Sequence, residues 1–205
     1  MLGGRKLNEI PEKKPRKEIT KRKILNAAKE LFIQKGVESV NMHQIALTAK
    51  VGQASLYRQY NKLSDICADI VREECQVLID DTQYYLSNTN ENLSSLDKLY
   101  QVIIKFVSYL EFRVDWICEV TRASTNYRPI QSPLYQWMRK ICTELLLEAV
   151  EKGEITDVDV PFTVEAILGT LNNVDEQLLH QGYTIKRILE GIENIYFKGL
   201  RKSTN

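Results

Sequence analysis

Residues 41–62, NMHQIALTAKVGQASLYRQYNK, constrain this chain more than any other stretch. They read as two short helices around a three-residue turn, the layout of a helix-turn-helix. Asn41 and Gln44 have the spacing of a capping box, which satisfies exposed backbone donors at the start of the first helix. Ile45 and Ala46 give that helix a small apolar inner face, and Val51 sits in the turn. Ala54, Leu56 and Tyr60 offer apolar contacts from the second helix. Its outward residues are Gln53, Ser55, Tyr57, Arg58 and Gln59, which are polar and include no acid. Such a surface suits base edges and phosphates.

The charge distribution points the same way. The net charge of the 205-residue chain is only +1, which by itself argues against a nucleic-acid partner. Residues 1–62, however, hold 14 Lys/Arg against 5 Asp/Glu, a net of +9. Residues 63–205 hold 14 against 22, a net of −8. A basic reader joined to an acidic effector region leaves this footprint.

Hydrophobic periodicity gives an all-α chain of about nine helices with no strand pattern. Residues 1–18 lack a helical apolar repeat and read as a flexible basic arm. Such an arm can lie along phosphates or in a minor groove, or can simply be a solvated tail. A first helix is expected over Lys21 to Lys35, capped by Thr20 and followed by Gly36. A fourth starts near Lys62 and extends towards Ser87, and the polar cluster SNTNENLSS separates it from the next. That next helix, Leu96 to Arg113, is apolar around most of its circumference and should be the buried centre of its domain. A helix around Trp116 to Ser124, one opened by Pro133 and ending near Lys152, one from Pro161 to Gly182, and one from Thr184 to about Leu200 complete the set. The expected domains are the arm at 1–18, a helix-turn-helix domain at 19–62, and a helical effector-binding and dimerisation domain at 63–205.

Other functional classes find little support. Cys67, Cys75, Cys118 and Cys142 show no C-x-x-C spacing, and the only histidines are His43 and His180. No zinc constellation is available, and reduced, buried thiols are expected. No segment approaches the roughly 18 consecutive apolar residues of a membrane span, and the N-terminus lacks an apolar signal core. The expected compartment is the cytoplasm. No Ser/His/Asp arrangement, paired-carboxylate signature or phosphate-binding glycine loop points to an enzyme, and no cofactor is expected.

Ile24 to Ile66, where ILNAAKELFIQKG is followed by IALTAKVGQASLYRQYNKLSDI, resembles the TetR family of bacterial transcriptional regulators. The family pattern runs from an amphipathic helix ending at glycine, through a helix-turn-helix, to an "LYxxF" aromatic. Here Leu56, Tyr57 and Tyr60 fill that last element, tyrosine replacing phenylalanine. Residues 67–205 are similar to the family only in length and helical character. Three positions depart from the pattern. Lys50 stands where the turn usually has glycine, so a non-glycine must take the turn's backbone conformation. Gly52 replaces a serine or threonine cap, and Leu63 replaces a phosphate-touching lysine for which Lys62 can substitute.

The resemblance implies a ligand-responsive regulator, a repressor in the leading reading, which binds a palindromic operator as a homodimer and is released by a small organic effector. The alternative is an architectural or cell-division DNA binder of the same fold that needs no ligand. The expected DNA-facing set is Asn41, His43, Gln53, Ala54, Ser55, Tyr57, Arg58 and Lys62. Gln53, Ser55 and His43 match positions that can approach bases, whereas Tyr57, Arg58, Asn41 and Lys62 suit phosphates. Phe106, Tyr109, Phe112, Trp116, Tyr127 and Trp137 can line an aromatic cavity between helices four to eight, and equally read as plain core. Asn172 and Asn173, in an otherwise apolar helix, need polar partners from a ligand or from a dimer interface. Leu171, Leu178, Ile185, Ile188, Leu189, Ile192, Ile195 and Tyr196 are expected to form that interface, with Gly169 and Gly191 permitting close approach. Closing the monomer core is the competing role for the same residues.

Overall fold

The computed structural model describes residues 16–89, 92–111, 113, 116–117, 119, 128–155 and 158–200. Among the described residues the chain is all-α, with eight α-helices and no strand. It divides into two compact units, the first ending at Ile66 and the second beginning at Cys67. The ninth expected helix, around Trp116 to Ser124, falls largely outside the described residues, as do positions 1–15 of the expected arm.

In the first unit, α1 (Arg16–Lys35) buries Ile24, Leu25, Ala28, Leu31 and Phe32 along one face. It starts five residues earlier than the expected Lys21. Neither glycine nor proline separates Arg16 from Lys21, so nothing halts helix propagation towards the N-terminus. Thr20 therefore lies inside the helix and does not cap it. Its hydroxyl donates to the Arg16 carbonyl at 3.0 Å, the usual alternative for a hydroxyl residue within a helix. Gly36 stops α1 at φ +76°, with its N–H bonded to the Phe32 carbonyl at 2.9 Å, a left-handed ending that glycine adopts without steric cost.

After a single 3-10 turn (Val37–Ser39) comes α2 (Met42–Thr48). The capping box is present in both directions: Gln44 N–H donates to Asn41 Oδ1 at 3.0 Å, and Asn41 N–H donates to Gln44 Oε1 at 2.9 Å. Ile45 and Ala46 are buried, as expected. The turn into α3 (Gln53–Tyr57) holds Lys50 at φ +53°. It is the only non-glycine with positive φ among the described residues, and it occupies the position where glycine is usual. Of α3, only Leu56 is fully buried, and Tyr60 closes the core just beyond it. Ala54 is exposed, contrary to its expected inward contact. The five residues of α3 form little more than one turn, and the Leu56 side of that turn faces the core. Asp65 then accepts hydrogen bonds from the N–H groups of Asn61 and Lys62 at 3.2 and 3.3 Å, starting α4 (Leu63–Asn88).

The second unit is organised around α5 (Ser95–Glu111), whose Leu96, Leu99, Val102, Ile103, Phe106, Val107 and Leu110 are all buried. This helix packs on α6 (Pro133–Glu151), which in turn packs on α7 (Val160–Asn173). Glu154 caps α5 from far along the chain, its carboxylate accepting from Ser95 and Leu96 N–H at 2.8 and 3.0 Å. Ser132, Asp159 and Thr184 cap α6, α7 and α8 (Ile185–Ile192) with their side-chain oxygens. A π-helical segment, Val174–Leu178, extends α7, and another, Glu193–Lys198, extends α8.

Candidate nucleic-acid interface and cavity

The first unit presents one exposed polar surface, built by the end of α2, the turn and α3. Gln53, Ala54, Tyr57 and Arg58 are exposed and Ser55 is half-buried. Arg58 Nη2 donates to Ser55 Oγ at 2.9 Å, which steers the guanidinium along the helix and keeps it out of the core. Gln53 Nε2 hydrogen-bonds to Nδ1 of His43 on α2. His43 is therefore tied to α3 rather than standing alone. Asn41 is exposed, yet its side-chain oxygen is committed to the α2 cap. Lys62 is exposed, and its backbone N–H serves the α4 cap.

Beside this surface lies a groove of about 940 Å³ that no sequence argument identified. Arg16, Lys17 and Lys23 of α1 line one wall, and Lys50, Gly52 and Arg58 line the other. None of its lining residues is acidic among the described residues. The spacing of Arg16, Thr20 and Lys23 puts all three on one face of α1, and that face was legible once the helix was known to start at Arg16. Five cations around an open groove attract polyanions and repel cations, the electrostatics of a phosphate track.

The second unit contains a cavity of about 540 Å³. Ala68, Val71, Cys75 and Ile79 line it from α4, Tyr109 and Leu110 from α5, and Leu134 and Tyr135 from α6. The lining is mostly apolar, with Arg72, Gln76, Tyr109, Ser132 and Tyr135 as its residues with polar groups. Tyr109 Oη lies 3.2 Å from Cys75 Sγ and donates to the Val71 carbonyl at 3.5 Å, and burial raises the phenol's pKa well above its ordinary value, so the hydroxyl stays neutral. Next to it, Arg113 pairs with Glu74 at 2.5 Å and lies 4.8 Å over the Trp116 ring. Burial pushes the thiols of Cys67 and Cys142 up to about 12, leaving them protonated and unreactive at neutral pH. Cys75 is half-buried and lines the cavity.

Of the aromatic set expected around a cavity, Tyr109 is brought to it. Phe106 is core, meeting the Tyr135 ring edge-on at 5.3 Å, and Trp116 is buried beneath Arg113. Trp137 and Asn172 are half-buried and Asn173 is exposed, and none of the three lines this space. Phe112 and Tyr127 lie outside the described residues. The α4 contribution is not legible in the sequence, because Ala68, Val71, Cys75 and Ile79 recur at the same helical spacing that core residues show.

The expected interface residues divide in the same way. Leu171, Ile188 and Ile192 are buried within their own unit, and a side chain already removed from water has no area left for a partner. Tyr196 is half-buried, its hydroxyl bonded to Thr170 Oγ1 at 2.6 Å and donating to the Ala166 carbonyl at 3.0 Å. Leu178, Ile185 and Leu189 are half-buried, and Ile195 is 68% exposed. The space around Gly169 and Gly191 is open.

Residues 24–62 match the family model of bacterial regulatory proteins, tetR family. Over 188 residues the chain is 24% identical to an HTH-type transcriptional regulator of Staphylococcus aureus (strain MRSA252), an alignment covering 89% of this chain and 95% of the relative. A TetR/AcrR-family transcriptional regulator from Thermobifida fusca YX-ER1 shares the fold with a TM-score of 0.68 at 18% identity, over 89% of this chain and 98% of that one. A gamma-butyrolactone receptor (ArpA-like protein) aligns with a TM-score of 0.60 at 22% identity, over 93% and 92%. Among the described residues, no helix is long and apolar enough to cross a membrane.

Proposed function

We propose that this chain, which matches the tetR family model over residues 24–62, is a ligand-responsive repressor of that family, binding a palindromic operator as a homodimer and released by a small organic effector. The observation that carries this reading beyond DNA binding is the cavity of about 540 Å³ in the second unit. A purely architectural DNA binder has no use for such a space. Its size falls within the range of small-molecule sites, and its apolar wall with a few polar points is their usual chemistry.

In this reading Gln53 meets a base edge from the major groove, while Tyr57, Arg58 and the cations of the α1 groove hold phosphates. Leu178, Ile185, Leu189 and Ile195 give the partner-facing surface, and two recognition helices stand about 34–36 Å apart on the DNA. The effector is a neutral, amphipathic organic molecule that fills the apolar space and hydrogen-bonds to the Tyr109 hydroxyl. Val71, Cys75 and Ile79, which would touch it, belong to α4, a helix that begins at Leu63 in the first unit. Ligand binding acts on DNA affinity only as far as it distinguishes the two states of that helix. The site of action is the cytoplasm, where the operator lies.

The test is operator release. Neutral amphipathic compounds are screened for displacement of fluorescent operator DNA from the wild-type protein and from Ile79→Trp, which fills the cavity. Compounds that release DNA from the wild type but not from the variant support the reading. Equal release from both would put the effector elsewhere, and broad, salt-sensitive binding that no compound affects would favour the architectural role.

A further inference from the structure

We infer that His43 is a positioning residue for Gln53, holding its amide in one orientation so that the recognition helix discriminates between bases. This rests on the base-contacting role proposed above for Gln53 and adds the residue that directs it.

Gln53 is the first residue of α3, and Gly52 before it offers no side-chain cap. Its side chain is exposed, with three rotatable bonds and no core neighbour to fix them. A free glutamine in that place can present either end of its amide outward. Pinning one of them is what turns a contact into a selection.

The structure supplies the pin. Gln53 Nε2 is hydrogen-bonded to His43 Nδ1, across the turn and from the neighbouring helix. His43 itself is well anchored, because the capping box of Asn41 and Gln44 fixes the start of α2 and Ile45 and Ala46 bury the following residues. With Nδ1 accepting, the neutral imidazole carries its proton on Nε2. The amide gives one of its two N–H groups to the ring. It retains its carbonyl oxygen and its second N–H, one acceptor and one donor. That is the pair adenine requires, accepting from N6 and donating to N7 in the major groove. A flipped amide would set its oxygen against Nδ1 and would need the ring's other tautomer, with the proton on Nδ1. His43 thereby couples the orientation of the amide to its own tautomer.

The experiment is a selection from random duplex DNA by the full-length wild type and by His43→Ala, His43→Gln and Gln53→Ala. Both residues are exposed, so the variants should fold, which thermal melting verifies. Gln53→Ala should erase preference at one base pair per half-site. His43→Ala should weaken preference at that same base pair about fivefold, the worth of one net hydrogen bond. His43→Gln, whose side-chain oxygen can accept the same N–H, should restore most of the preference. The inference fails if His43→Ala keeps full preference there while Gln53→Ala erases it. It also fails if His43→Ala alters a different base pair, since His43 would then read DNA itself. If Gln53→Ala changes no preference, the base-contact role of Gln53 falls first and the positioning role falls with it.

Discussion

The recognition surface of the first unit is assembled from a continuous stretch, Asn41 to Lys62, whereas the cavity of the second draws on residues scattered from Ala68 to Tyr135. The first is fixed by rules that act over a few residues: a capping box, a left-handed turn and a one-turn helix held by Leu56. The second exists only because α4, α5 and α6 pack imperfectly against one another. Local chemistry makes a reading head recognisable from sequence, and tertiary packing makes a binding cavity invisible to it. The same contrast predicts how substitutions should behave.

The largest effects should come from the cores. Phe106→Ala in the second unit should cost about 3–5 kcal/mol, and Leu56→Ala in the first about 2–5 kcal/mol. Both should lower the melting temperature, but Leu56→Ala should also remove DNA binding, because α3 has no other buried anchor. If Leu56→Ala bound operator normally, α3 would not be the reading element. Next in size, Ile79→Trp should weaken effector binding at least about tenfold, since an added indole leaves an apolar cavity of this size poorly able to accept a ligand. Operator affinity without effector should be unchanged, and titration of both ligands separates the two effects.

A smaller effect sharpens the boundary of the DNA surface. Arg16→Ala and Arg58→Ala should each lower the slope of log affinity against log salt by about 1, as expected for the loss of one phosphate contact. An unchanged slope for Arg16→Ala would exclude α1 from the DNA footprint. Smallest is Lys50→Gly. Relieving the left-handed residue at φ +53° should stabilise the protein by about 1 kcal/mol, seen as a higher melting temperature. The same change should reduce DNA affinity by removing a groove cation. A fall in melting temperature would mean that Lys50 makes a stabilising contact outweighing its backbone strain.

Much of the fold was legible in advance because helix ends carry their own signals. Asn41, Pro133, Pro161 and Thr184 all mark helix starts that the structure contains. The strained turn at Lys50 was visible as a residue standing where glycine is usual. The start of α1 was not, because Thr20 offers the same hydroxyl to a cap or to an interior carbonyl and only the fold decides which. The groove is hidden for the same reason, since Arg16 and Lys17 read as part of a flexible basic arm. At the interface, Leu171 and Ile195 look alike in sequence, yet one is fully buried in its own unit and the other is 68% exposed. Periodicity gives the face of a helix, not what covers it.

The account stands or falls on whether the first unit reads sequence. Selection of duplexes from a random pool by the wild-type protein, run at two salt concentrations, measures this directly. The expected result is a palindrome with half-sites about one helical turn apart, roughly 10 base pairs, enriched at both salts. No enriched sequence, with binding that fades steeply as salt rises, would mean that the protein touches phosphates alone and would contradict the account.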